Sequence, residues 1–152
     1  MTVKHFACNN QEDNRNFVSS NLSPRALREI YLRPFEIAVR KGGAKGIMTS
    51  YNKVNGVYTP NSYDLCTKVL RNEWGFDGVV MTDWFSTNRG QADNAVAMRA
   101  GNDLIMPGGG SFKKEILKGV KSGKIRSEDV RRCCGNGVKS IFDSSIQKEY
   151  IG

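Results

Sequence analysis

Long apolar runs are missing from this 152-residue chain, and none approaches the ~20 residues that a membrane span requires. No charged segment followed by an apolar core opens it, so no signal peptide is visible and the cytoplasm is the default compartment. The four cysteines, Cys8, Cys66, Cys133 and Cys134, form no Cys-x-x-Cys pair. That argues against a zinc site and leaves free thiols in a reducing compartment as the expectation. There is no Ser-His-Asp ordering, no Walker loop and no Gly-x-Gly-x-x-Gly. Gly108-Gly109-Gly110 lacks the Lys-Ser/Thr of a phosphate loop and reads as a flexible connection. No cofactor is expected. Acidic residues are few beside basic ones, 15 against 23, for a net charge of +8. The cations are scattered along helical segments without interleaved aromatics, so solvated helix faces explain them better than a nucleic-acid partner.

What is present reads as alternating strands and helices. Thr2 to Ala7 mixes β-branched and aromatic residues and predicts a first strand. Ser23-Pro24 opens a helix with Ser as N-cap and Pro as first helical residue. Its apolar positions Ala26, Leu27, Ile30, Tyr31, Phe35, Ala38 and Val39 give one buried face, with Pro34 expected to kink it. Gly46 to Ser50 predicts a second strand. A helix capped by Asn61 or Ser62 follows, and Gly75 ends it. Val79-Val80-Met81 is a short unbroken apolar run between glycines, as in a strand buried on both faces. A helix over about Gln91 to Ala100 and a fourth strand, Asp103 to Met106, come next. Two last helices lie near Ser111 to Ser122 and Ser127 to Phe142, the second expected to fray or bend at Gly135 and Gly137. This β-α-β-α-β-α-β-α-α order argues for parallel strands and right-handed crossovers. A doubly wound sheet and half of an eightfold βα barrel look alike at this level.

Polar groups stand at every strand end: Lys4-His5, Tyr51-Asn52, Asp83-Trp84, and the Pro107-Gly108 loop after Asp103. In α/β folds ligands gather at the C-terminal ends of strands, so Asp83 with Trp84 is a candidate site. Taken singly, each group also has an ordinary reading. Asp83 could cap the next element, Trp84 could be core, and a lone histidine such as His5 is more often structural.

In combination the motifs resemble a known family. Lys4-His5-Phe6-Ala7-Cys8-Asn9-Asn10-Gln11-Glu12, Arg25 to Leu32 with Pro34-Phe35, and Met48 to Gly56 are similar to the barrel domain of family-3 glycoside hydrolases. So are Leu70 to Phe76, Met81-Thr82-Asp83-Trp84, and Ala100 to Gly108. The resemblance runs from about Val3 to Asp143 and is strongest to bacterial β-glucosidases. It implies an α/β fold, a partial (βα)8 TIM-type barrel of about four βα units plus a C-terminal helix, filling residues 1–152 as one domain. It implies that Asp83 is the catalytic nucleophile of a retaining β-glucosidase. Lys4 and His5 match the pair that hydrogen-bonds glucose hydroxyls, Tyr51 the tyrosine beside the nucleophile, and Trp84 the aromatic platform at the sugar subsite. Lys4 would also help hold Asp83 ionised.

The same resemblance implies what is not here. The aspartate and arginine of the family's earlier strands, and its acid/base, have no match; Glu12, Glu73 and Asp103 do not fit the acid/base motif. The chain therefore reads as the C-terminal half of a barrel, with open edges that two copies could close as a homo-oligomer. The expected partner is a β-glucoside or oligosaccharide, with no nucleic acid and no membrane. A carbohydrate-binding remnant without efficient turnover is the alternative.

Overall fold

The computed structural model describes residues 1–88 and 90–144. Its centre is a parallel sheet of three strands, β1 (Thr2–Phe6), β3 (Gly46–Thr49) and β6 (Val79–Met81), ordered β1-β3-β6. Thr2 pairs with Gly46 and Gly46 with Val79, so all three strands end on one side of the molecule. The apolar runs form strands because they bury both faces. Ile47 and Val80 are fully enclosed, with Phe6, Leu32 and Leu70 beside them. Phe6 stands edge-on to Phe35 at 5.0 Å and to Trp74 at 6.1 Å, joining the first strand to the helices on either side. Gly78 is required where β6 begins, since a Cβ there would lie 2.2 Å from the Lys45 carbonyl oxygen.

A second, small sheet was not legible in the sequence. It contains β2 (Ser19–Ser20), β4 (Lys53–Val54) and β5 (Val57–Tyr58), with β2 parallel to β4 and β4 antiparallel to β5. Each strand is two residues long, too short to carry a periodic pattern.

The helices depart from expectation at their ends. The first is two pieces, α1 (Pro24–Ala26) and α2 (Arg33–Arg40), joined by a wide turn over Leu27–Tyr31. Ser23 Oγ accepts the Ala26 N–H as foreseen. Pro34, with no N–H to give Ile30, falls in the first turn of α2, so the helix is interrupted there. The Asp64–Glu73 helix also has wide turns, and Ser62 Oγ accepts the Leu65 N–H at its start. Helix α3 (Asn94–Ala100) begins later than Gln91 because Asp93 is its cap, accepting the Val96 N–H at 2.9 Å. Helices α4 (Gly110–Lys121) and α5 (Ser127–Phe142) follow, and α5 runs unbroken through Gly135 and Gly137. Asp93→Ala is expected to lower stability by about 1 kcal/mol, the usual worth of an N-cap. Urea unfolding should show it as a lower midpoint with an unchanged slope.

The fourth strand is a correction. Asp103 to Met106 lies beside β6, but the pairing shrinks to one parallel bridge, Met81 with Leu104. The Val80 N–H goes to the Asp103 side chain instead of to a ladder carbonyl, and Leu104 is 43% exposed. Among the described residues no further strand covers that edge. The architecture is α/β, with three βα units and the remnant of a fourth. No helix among the described residues is long and apolar enough to cross a membrane.

Candidate active site

Asp83 follows β6 by two residues and sits at the C-terminal rim of the sheet. Its position is over-determined by backbone bonds. Thr82 donates its N–H to Leu104 O at 3.0 Å, and its hydroxyl accepts the Met106 N–H at 2.9 Å. Ser86 returns both its N–H and its hydroxyl to the Asp83 carbonyl. The carboxylate itself has three neighbours, the Trp84 N–H, His5 and the Tyr51 phenol. Oδ1 accepts the Trp84 N–H at 2.7 Å, and Oδ2 lies 3.2 Å from His5 Nε2. The Asp83 side chain is largely buried, 12% exposed.

His5 reaches Asp83 from β1 across β3. The register slips between Val3 and Phe6, where three steps of β1 face two of β3. The Lys4–His5 and Phe6–Ala7 peptide bonds are cis. Lys4 is exposed and shares with His5, Tyr31 and Phe35 the wall of a hollow of about 290 Å³. Asp83 is not in that wall, and the described residues contain no ion pair between Lys4 and Asp83. The side chain that meets Asp83 is therefore His5 rather than Lys4.

Tyr51 comes from the loop after β3, which is tied to the end of β1. Ser50 Oγ donates to Ala7 O at 3.0 Å, and Asn52 Nδ2 to the same carbonyl at 3.2 Å. The Tyr51 hydroxyl donates to Trp84 O at 2.7 Å. Burial, and then the Asp83 charge beside it, hold the phenol above its usual pKa, so it stays a protonated donor throughout the neutral range. Trp84 is 52% exposed and presents an uncovered ring at the rim.

Two residues near this rim escaped the sequence reading. The Arg15 guanidinium lies 4.4 Å from the centroid of the Tyr51 ring and is paired with Glu12. Phe85, next to Trp84, is 46% exposed. An arginine 36 positions from the tyrosine it covers gives no local signal; Phe85 could have been noticed as a second aromatic after the acid. Asp103, the other strand-end candidate, belongs elsewhere. It opens its segment rather than closing it, and its enclosed carboxylate pairs with Arg71 at 2.6 Å. Among the described residues no group of three or more His, Cys, Asp or Glu could hold a metal ion. The arrangement offers a fixed carboxylate beside an imidazole, a phenol and an exposed indole. It can attack or orient a neutral polyhydroxylated ligand.

The sequence pattern of the glycosyl hydrolase family 3 N terminal domain matches residues 1–134. A β-glucosidase of Ruminococcus albus is 46% identical over 99% of this chain and 17% of its own length. One from Rhizobium radiobacter is 51% identical over 86% of this chain and 16% of its own. Among solved structures, β-glucosidase 3B from Thermotoga neapolitana in complex with glucose superposes with a TM-score of 0.88 at 43% identity. That alignment covers 98% of this chain and 21% of the Thermotoga chain. The chain thus spans about one sixth of the length of these curated relatives.

Proposed function

Since the chain belongs to glycosyl hydrolase family 3, we propose that it carries the nucleophile half of a retaining β-glucosidase site, with Asp83 as the nucleophile. The observation that carries this reading is the Asp83 carboxylate itself, held at a strand end by the Trp84 N–H and His5. A retaining glycosidase needs such a group under the sugar and a second carboxyl about 5–5.5 Å away as acid/base. One Asp83 oxygen attacks the anomeric carbon as the acid protonates the departing aglycone oxygen. Water, deprotonated by the same second carboxyl, then cleaves the glycosyl ester and frees Asp83.

Lys4 and His5 are assigned to the glucose hydroxyls, Tyr51 to steadying the loop that carries the nucleophile, and Trp84 to stacking on the pyranose. No carboxyl is among the hydrogen-bond or ion-pair partners of Asp83 in the described residues. The acid/base is accordingly proposed to come from outside this stretch, which is read as one partial (βα)8 barrel domain. Four unbridged thiols suit a reducing compartment. The uncovered edge beside Leu104 supports association of two copies. Sedimentation velocity tests that point, and a monomer at every concentration rejects it.

The deciding experiment is incubation with a 2-deoxy-2-fluoro-β-glucoside bearing a good leaving group, followed by mass spectrometry. A stable glycosyl adduct on the peptide containing Asp83 is the expected result; an adduct on another residue, or turnover with no adduct there, rejects it. The want of a paired carboxyl favours a second reading, glucose held without turnover, which calorimetry would show as binding with no p-nitrophenol released from its β-glucoside. Under either reading Trp84→Ala is expected to weaken glucose binding about fivefold, the loss of one aromatic face. Calorimetric titration measures it.

A further inference from the structure

A hollow of about 460 Å³ lies apart from the Asp83 rim and shares none of its residues. Four cations line it, Arg99, Lys124, Arg126 and Arg132, together with Asp129 and Tyr63. They arrive from three places in the chain: the last turn of α3, the loop between α4 and α5, and the first half of α5. Ile125 is 2% exposed and anchors that loop in the core, so Lys124 and Arg126 on either side of it face outward.

Like charges that converge repel unless anions balance them. Lys124 is matched by Asp93 at 2.6 Å, and Arg132 by Asp129 at 2.9 Å. Asp129 also accepts the Arg126 N–H at 3.0 Å, and the Arg126 guanidinium comes only within 3.9 Å of it. Arg99 has no carboxylate partner among the described residues; its bond is to the Lys124 carbonyl oxygen, at 3.5 Å. Two carboxylates thus face four cations, and Arg99 and Arg126 carry the surplus. Cations that serve only solubility can point apart, whereas these meet at one concave wall beside the exposed Tyr63 ring. A guanidinium presents paired N–H donors that match two oxygens of a phosphate, and it holds its charge throughout the neutral range.

We propose that this hollow binds the phosphate group of a small molecule, with Arg99 and Arg126 as the residues that hold the anion. Tyr63 offers a ring face to the organic group that the phosphate carries. The proposal is independent of the role of Asp83.

The test is calorimetric titration of the 152-residue chain at low ionic strength with inorganic phosphate and with phenyl phosphate. Both are expected to bind, phenyl phosphate about three- to fivefold more tightly because Tyr63 meets its ring. Arg99→Gln combined with Arg126→Gln is expected to weaken both by about tenfold or more, since two charge-assisted contacts are lost. Both side chains are exposed, so the melting curve without ligand should not move. Lys114→Gln with Lys121→Gln removes the same charge from α4 outside the hollow and is expected to change binding by less than about twofold. An equal loss in the two double variants overturns the site, by reducing it to attraction by net charge. No binding of either ligand by the unaltered chain at about 10 mM overturns it as well. Equal affinity for the two ligands, unchanged in Tyr63→Ala, assigns the hollow to free phosphate and overturns the part given to Tyr63.

Discussion

Asp83→Asn is expected to cut β-glucoside hydrolysis by roughly ten-thousand-fold, or about 5.5 kcal/mol of transition-state stabilisation. The effect is this large because, in the proposed role, the group removed forms the covalent bond, so no uniform binding interaction can replace it. Asparagine keeps the shape and can still accept the Trp84 N–H, so the fold should be unaffected and the loss should fall on kcat. Circular dichroism and Tm separate the two: an unchanged melting curve with lost turnover is the expected pair. In Asp83→Ala, azide is expected to restore activity and give the inverted α-glucosyl azide, because it attacks from the side the carboxylate vacated. Retention of activity within tenfold in Asp83→Asn would place the nucleophile elsewhere.

Arg71→Met is expected to destabilise the fold by about 3–5 kcal/mol at pH 7. That is a large share of the roughly 5–15 kcal/mol a domain of this kind has. Arg71 leaves the Asp64–Glu73 helix to bond three separate elements: Gly78 O before β6, Gly101 O after α3, and the Asp103 carboxylate. Asp103 is enclosed and also accepts the Val80 N–H and the Asn136 amide, each at 2.8 Å. Burial pushes its pKa above the usual carboxylate value even though Arg71 and these donors pull the other way. Removing Arg71 leaves a buried charge without its counterion and drives that pKa higher still. A folded-state pKa above the unfolded one means the native state binds its proton more readily. The deficit should therefore shrink as pH falls through the elevated value, where Asp103 becomes neutral. Urea unfolding at pH 7 and pH 5 measures this. Arg71→Met with Asp103→Leu should recover part of the loss, and an equal deficit at both pH values in the single variant would refute the account.

Much of this was written locally in the chain. Val79-Val80-Met81 between glycines announces a two-faced strand, and Ser23-Pro24 announces a helix start, because each depends on residues within one turn or one pleat. The motifs from Lys4 to Glu12 and from Met81 to Trp84 identify the family, and Asp83 at a strand end marks the proposed site. Where local signals were equivocal, the sequence misled. Gln91 looked helical although Asp93 is the cap, and Asp103 to Met106 looked like a full strand although one bridge remains.

What only the tertiary structure decided are pairings between residues far apart in the chain. The assembled sheet brings His5 rather than Lys4 to Asp83, a meeting of β1 with the end of β6 across β3. The coverage of Tyr51 by Arg15, the locking of Asp103 by Arg71, and the tie from Tyr51 to the Trp84 carbonyl all join separate elements. Sequence alone determined that a carboxylate would stand at the end of the Val79–Met81 strand, because strand formation there is a matter of nearest neighbours. Packing decided what surrounds it, because side chains from the ends of two strands and from a loop meet only when the sheet has closed its register.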